Sequence, residues 1–231
     1  MIRLLTLSFA LLLAAPQTAF AQTLPPINQL EPTENWSGYV ANNAYYTGVT
    51  ALMEAPRPDL LQVLGTAFSW VGIGGTQSND LIQAGIAEVN QGPFVSYAAW
   101  YEMLPAPPLL VPVQVAAGSW VLVDIHQVGF NRWQISVVNG TSTFVQQFTY
   151  ASSHTSAEWI LEAPAILHNQ QVAGFLPLAG VAGANFAKMS AIANGVNAIP
   201  TQLFPKPSAL IGPSGRAVPT ALGPDGASFT V

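Results

Sequence analysis

The side chains with catalytic potential in this chain are few, and they stand inside otherwise apolar runs. Gln83 interrupts Leu81-Ile82 and Ala84, Glu102 follows Trp100-Tyr101, and Glu158 and Glu162 bracket Trp159-Ile160-Leu161. A carboxyl group can exchange protons with a reacting centre, and a primary amide can donate hydrogen bonds without itself titrating. More familiar constellations are missing. There is no cysteine, and Gly212-Pro213-Ser214-Gly215 has the wrong spacing and context for a nucleophile elbow. His126, His154 and His168 lack zinc-ligand spacing and read as ordinary surface or strand histidines, so neither a metal nor another cofactor is expected. Gly72-Ile73-Gly74-Gly75 lacks the third glycine and the helix that would cradle a phosphate. The two Asp-Thr/Ser-Gly segments of a pepsin-type dyad are absent as well.

Strands must position these groups. Side chains alternate faces along a strand, so Gln83 shares a face with Gly85 and Ala87, Trp70 with Gly72 and Gly74, and Trp100 with Glu102. One face thus carries Gln, Glu and Trp over small residues, as a cleft floor would. Each residue taken alone reads more readily as a strand-edge residue on a solvated face. Glu158 and Glu162 point the same way, and parity cannot choose between them.

β-rich runs are expected at Phe68–Ile73, Leu81–Val89, Phe94–Met103, Trp120–Ile125, Trp133–Val138, Thr141–Phe148 and Glu158–Leu161. Asn139-Gly140 predicts a two-residue hairpin turn of type I′. No sustained 3.6-residue period competes, and the pattern predicts an all-β, two-sheet antiparallel sandwich. Residues 35–231 are read as one domain, preceded by an extended lead-in over 22–34. A Pro/Gly-rich tail runs from about Asn194, with Phe229–Val231 as a closing edge strand.

Five segments occur in a telling order: Asn35-Trp36-Ser37-Gly38-Tyr39, Trp70 to Gly75, Leu81-Ile82-Gln83-Ala84-Gly85, Ala99-Trp100-Tyr101-Glu102, and Ala157 to Glu162. Together they resemble the signature segments of the glutamic peptidases, the eqolisin family. Phe175 to Ala179 followed by Phe186 is similar to that family's later strand pair. The resemblance covers about residues 35–188 and implies a sandwich like the legume-lectin jelly roll, with its site on the concave sheet.

It also implies an endopeptidase that acts on polypeptides at acid pH. By motif position the catalytic dyad is Gln83 and Glu162. Trp70, Trp100, Trp36 and Glu102 line or support the site, and Glu158 matches a non-catalytic place. In that chemistry the Glu162 carboxylate takes a proton from water and returns it to the leaving nitrogen. Gln83 donates to the oxyanion.

Two departures stand out. Gly74 replaces the family's Asp, which predicts a slower enzyme that Gly74→Asp accelerates, with Glu102 as the first candidate to compensate. Only 13 residues separate Ala21 from Asn35, which leaves little room for a prosegment.

Arg3, the apolar run Leu4 to Ala15 and Ala19-Phe20-Ala21 read as a signal peptide over residues 1–21, hence secretion. Charged residues make up 7% of the chain, against about 25% ordinarily, and without Arg3 the formal charge is −6. Such a chain has little electrostatic reason to bind nucleic acid or an anionic membrane, and a monomer is expected. Few groups gain charge on acidification, so the fold is expected to withstand about pH 3. Two other functions fit the residues. A sandwich glycoside hydrolase would use Glu102 and Glu162 across a cleft, and a silent lectin-like protein would use the face for binding alone.

Overall fold

The structure is a computed structural model describing residues 23–58, 64–168 and 171–231. The expected signal peptide lies outside the described residues. The first half contributes β1 (Glu31–Thr33), β2 (Trp36–Ala41), β3 (Tyr46–Glu54), β4 (Arg57–Pro58), β5 (Leu64–Gly74), β6 (Leu81–Gln91), β7 (Phe94–Met103) and β8 (Leu109–Val111). There follow β9 (Trp120–Gly129), β10 (Arg132–Asn139), β11 (Ser142–Thr149), β12 (Ala157–Glu162), β13 (Ala165–His168), β14 (Gln171–Phe175) and β15 (Val181–Ala182). The last elements are β16 (Asn185–Ala193), β17 (Val196–Ala198), the helix α1 (Pro200–Leu203), β18 (Lys206–Gly212), β19 (Gly215–Ala217) and β20 (Phe229–Thr230).

One sheet has nine strands in the order β1-β18-β2-β12-β5-β6-β7-β8, with β19 added on β18. The other has seven, in the order β11-β10-β9-β3-β16-β17, with β20 on β16. Every pairing in the two sheets is antiparallel except β1 with β18. This is the two-sheet sandwich expected from strand patterning.

Period-two alternation explains the packing. Val71 and Ile73 on β5, Ile82, Ala84 and Ile86 on β6, and Trp159 and Leu161 on β12 point inward. There they meet Val49 and Met53 of β3, Val121, Val123 and Ile125 of β9, and Trp133 and Ile135 of β10. Burying each large apolar side chain contributes roughly 1.5–3 kcal/mol, so this shared interior dominates stability. The intervening residues form a second, smaller apolar cluster on the opposite face of the nine-stranded sheet: Val40, Trp70, Leu81, Ala87, Trp100 and Ile160.

Several boundaries differ from expectation. The lead-in is not merely extended, since β1 joins the nine-stranded sheet as its edge. The tail is structural, because β18 lies between β1 and β2 in that sheet. The β10–β11 turn centres on Gly140-Thr141, with Asn139 paired to Ser142. Gly140 has φ of +58°, so glycine takes the first central position as in a type II′ turn. His154 is neither on the surface nor in a strand. It is buried at φ +59° on the crossover from β11 to β12, its Nδ1 lies 2.7 Å from the Tyr46 carbonyl, and it stacks between Tyr45 and Trp133.

Candidate active site

Residues paired across a ladder share a face, so registers lay out the outer face of the nine-stranded sheet. One row reads Val40, Glu158, Gly72, Gln83, Glu102. The next reads Gly38, Ile160, Trp70, Gly85, Trp100, and the third Trp36, Glu162, Phe68, Ala87, Ala98. The six residues singled out from sequence therefore occupy one face of five strands. Gln83 and Glu162 lie on a diagonal across β5, with Trp70 in the row between them.

Gln83 is 4% exposed, and its Nε2 donates to Glu102 Oε2 at 2.6 Å. That bond uses one of the two amide hydrogens and leaves the other for a ligand. Glu162 is held at both oxygens. Trp70 Nε1 donates to Oε2 at 2.7 Å, and Asn35 Nδ2 donates to Oε1 at 3.0 Å. Trp36 packs edge-on against Trp70, with ring centres 5.0 Å apart.

Burial pushes Glu162 up to about 7. Hydrogen bonds from Trp70, Trp36 and Asn35 oppose that shift, and the nearby Glu102 charge adds to it. Burial likewise raises Glu102, against the opposing bond from Gln83.

Trp70 and Trp100 are wholly buried, which corrects the idea that they line the substrate surface. Trp70 acts through its indole N–H on Glu162, and Trp100 packs on Phe68 at 4.9 Å between ring centres. Of the four tryptophan and glutamate residues expected to support the dyad, Trp36 and Glu102 retain partial exposure.

Glu158 occupies a different environment from Glu162 despite its shared parity. It is wholly buried, and neither of its oxygens has a hydrogen-bond partner in the geometry. It sits over Gly72, where a Cβ would stand 3.3 Å from Oε2. Burial raises it well above the ordinary carboxylate range, and the Asp80 charge reinforces the shift.

Gly74 overturns one expectation. Its φ is +91°, and a Cβ there would lie 2.7 Å from the Asp80 carbonyl oxygen and 2.8 Å from Asp80 Oδ2. An L side chain is strained at that φ, and the space is already taken. Gly74→Asp is therefore not expected to accelerate the enzyme. The carboxylate beside Gly74 is Asp80, not Glu102.

Sequence reasoning passed over both Asn35 and Asp80. Asn35 opens the first signature segment, and a polar residue one position before a site tryptophan was the available signal. For Asp80 the signal was one of only eleven acidic residues standing three positions before Gln83. Among the described residues, no group of three His, Cys, Asp or Glu side chains is arranged to hold a metal ion.

A β-sandwich that gathers an amide, three carboxyl groups and indole donors on one sheet face has the makings of a hydrolase. Solved glutamic peptidases share this fold. Scytalido-glutamic peptidase, solved with a peptide-based transition state analog, aligns with a TM-score of 0.71 at 20% identity over 85% of this chain and 97% of its own. SCP-B, an eqolisin solved with the tripeptide Ala-Ile-His, aligns at 0.65 and 19% identity over 85% and 96%. Aspergilloglutamic peptidase from Aspergillus niger aligns at 0.58 and 21% identity over 72% and 97%. No curated protein matches the chain. The Peptidase A4 family model matches residues 34–202, and the chain belongs to that family. It is a peptidase, a hydrolase of peptide bonds.

Proposed function

We propose that this chain is an exported acid endopeptidase in which Glu162 and Gln83 carry the reaction. The observation behind this reading is a carboxyl group raised to about 7 on the same sheet face as an amide anchored by a second carboxyl group. Export rests on the leader-like segment at residues 1–21.

In acid Glu162 is neutral, so it carries both a proton to give and an oxygen to receive one. Water adds to the scissile carbonyl carbon while one Glu162 oxygen takes its proton. The other oxygen gives its proton to the leaving nitrogen, the C–N bond breaks, and the carboxyl ends as neutral as it began. This modifies the simple carboxylate-base scheme, because burial keeps the proton on Glu162 at acid pH. Gln83 donates its free amide hydrogen to the carbonyl oxygen as that oxygen gains charge. Such a donor is typically worth about 10²–10³ in rate. Glu102 holds the other amide hydrogen and so fixes which end of the amide faces the substrate.

The test is digestion of a denatured protein at pH 4, with a β-glucan offered in parallel. Wild type should cleave the protein and leave the glucan intact. Gln83→Ala and Glu162→Gln should each lose at least about 10²-fold while remaining folded. A chelator and a thiol reagent should change nothing. Sugar release, or proteolysis indifferent to both substitutions, would remove this reading.

A further inference from the structure

The loop joining β5 to β6, residues 75–80, lies against the crossover that carries the chain from β11 in one sheet to β12 in the other. Hydroxyl groups stitch the two together. Thr76 Oγ1 donates to Ser156 Oγ at 2.8 Å, and Ser78 Oγ shares a hydrogen bond with Ser153 Oγ at 2.9 Å. The main chain contributes as well: Gly74 N–H donates to the Ser156 carbonyl at 3.1 Å, and Leu81 N–H donates to the Tyr150 hydroxyl at 2.8 Å.

Asp80 is the one carboxylate in this seam, and it makes the seam's shortest contact, accepting Ser153 N–H at Oδ2 over 2.6 Å. A hydrogen bond to an ionised acceptor is roughly twice as strong as a neutral one. Burial alone would raise Asp80, but the Ser78 hydroxyl, the Ser153 N–H and hydroxyl, and the Ser152 hydroxyl outweigh it and hold the group below its ordinary value. The carboxylate fits there because Gly74 carries no side chain: a Cβ at Gly74 would stand 2.8 Å from Oδ2.

The two stitched segments lead directly into the strands that matter. Gln83 follows Asp80 by three positions on β6, and Glu162 closes β12, which begins just after Ser156. We propose that Asp80 is a positioning residue for peptide hydrolysis, anchoring the loop before β6 to the crossover before β12 so that Gln83 and Glu162 address the same peptide bond. This rests on the peptidase reading above. Asp80 touches neither member of the pair, and its effect runs through the register of the two strands.

The experiment compares wild type, Asp80→Ala and Asp80→Asn on one peptide substrate at pH 4, well below each variant's melting temperature. Misplacing a catalytic group can slow a reaction by as much as about 10²-fold, so Asp80→Ala should lose kcat on that scale with KM within about twofold. Asp80→Asn keeps an oxygen that can accept Ser153 N–H and should recover kcat to within about fivefold. A merely structural role would lower the melting temperature and leave kcat per folded molecule unchanged.

A folded Asp80→Ala with wild-type kcat, a loss confined to KM, or equal losses in the Ala and Asn variants would each overturn the anchoring role. An inactive wild type would instead overturn the peptidase reading. If Asp80→Ala does not fold, the Ser78→Ala/Ser153→Ala double variant removes the adjoining hydroxyl tie. A fall in its kcat at constant KM supports the proposal, and an unchanged kcat overturns it.

Discussion

Glu162 owes its character to what surrounds it. Removal from water pushes its proton affinity up to about 7, while Trp70, Trp36 and Asn35 pull it back. Below that value it is neutral and able both to give and to take a proton. A kcat/KM profile should therefore be high in acid and fall as pH rises through about 7, the opposite of what a carboxylate base would give. Initial rates on one peptide from pH 3 to 8 decide between them. Trp70→Phe removes the indole donor but keeps most of the ring, so the falling limb should move to higher pH. Glu158 makes the contrast: four positions away on the same strand and face, it has no hydrogen-bond partner in the geometry and lies under full cover. Glu158→Gln preserves shape and neutrality, and its kcat at pH 4 should stay within about threefold of wild type.

At the scale of elements, the site depends on a residue without a side chain where β6 runs against β5 at Gly85. Gly85 faces Trp70 and Trp100 in the ladder, and a Cβ on it would fall 2.0 Å from the Ser69 carbonyl oxygen and 2.7 Å from the Trp70 Cα. Those atoms are backbone and cannot swing aside. Gly85→Ala should force the strands apart, destabilising the fold by about 1–3 kcal/mol or more and moving Trp70 away from Glu162. Denaturant melts would register the first effect, and loss of peptidase activity in the surviving folded fraction the second. Gly74→Asp should likewise lower stability without raising kcat, because the strain at φ +91° is joined by conflict with the Asp80 backbone. A faster, well-folded Gly74→Asp enzyme would contradict this account of the loop.

For the molecule as a whole, the sparse charge becomes a statement about pH. Glu88 points into the interior between the sheets, wholly buried with neither oxygen hydrogen-bonded, and burial pushes it up to about 7. Glu162 is raised to about 7 as well, and Glu102 and Glu158 are raised too. A carboxyl group that binds its proton more tightly when folded favours folding below its unfolded value near 4.5, and that advantage is lost as pH climbs through the folded value. Asp80 runs the other way: its stabilisation is present above its ordinary 3.8 and fades in stronger acid. Stability should thus peak near pH 4 to 5 and decline toward pH 7.5, with Glu88 alone accounting for on the order of 3 kcal/mol of the difference. Calorimetric melts at pH 4.5 and 7.5 should show the higher transition in acid. Glu88→Gln should raise the melting temperature at pH 7.5 with little effect at pH 4.5. A protein more stable at neutrality would count against these buried carboxyl groups.

Strand parity is a local property of the chain, and it was enough to group Gln83 with Gly85 and Ala87, Trp70 with Gly72 and Gly74, and Trp100 with Glu102, each within its own strand. The same alternation made the sandwich legible, and the Asn139-Gly140 pair located its hairpin to within one residue. Parity names a face but not a neighbour. Which of Glu158 and Glu162 meets Trp70 and Asn35 depends on the register of β12 against β5 and β2, strands far apart in sequence whose alignment is set by packing across the whole sheet. For the same reason the Pro/Gly-rich tail gave no sign that β18 would lie beside β2. Nor could it be read from the chain that Asp80 would fill the space left at Gly74, since a backbone angle and a carboxylate six positions on become complementary only once the loop is closed.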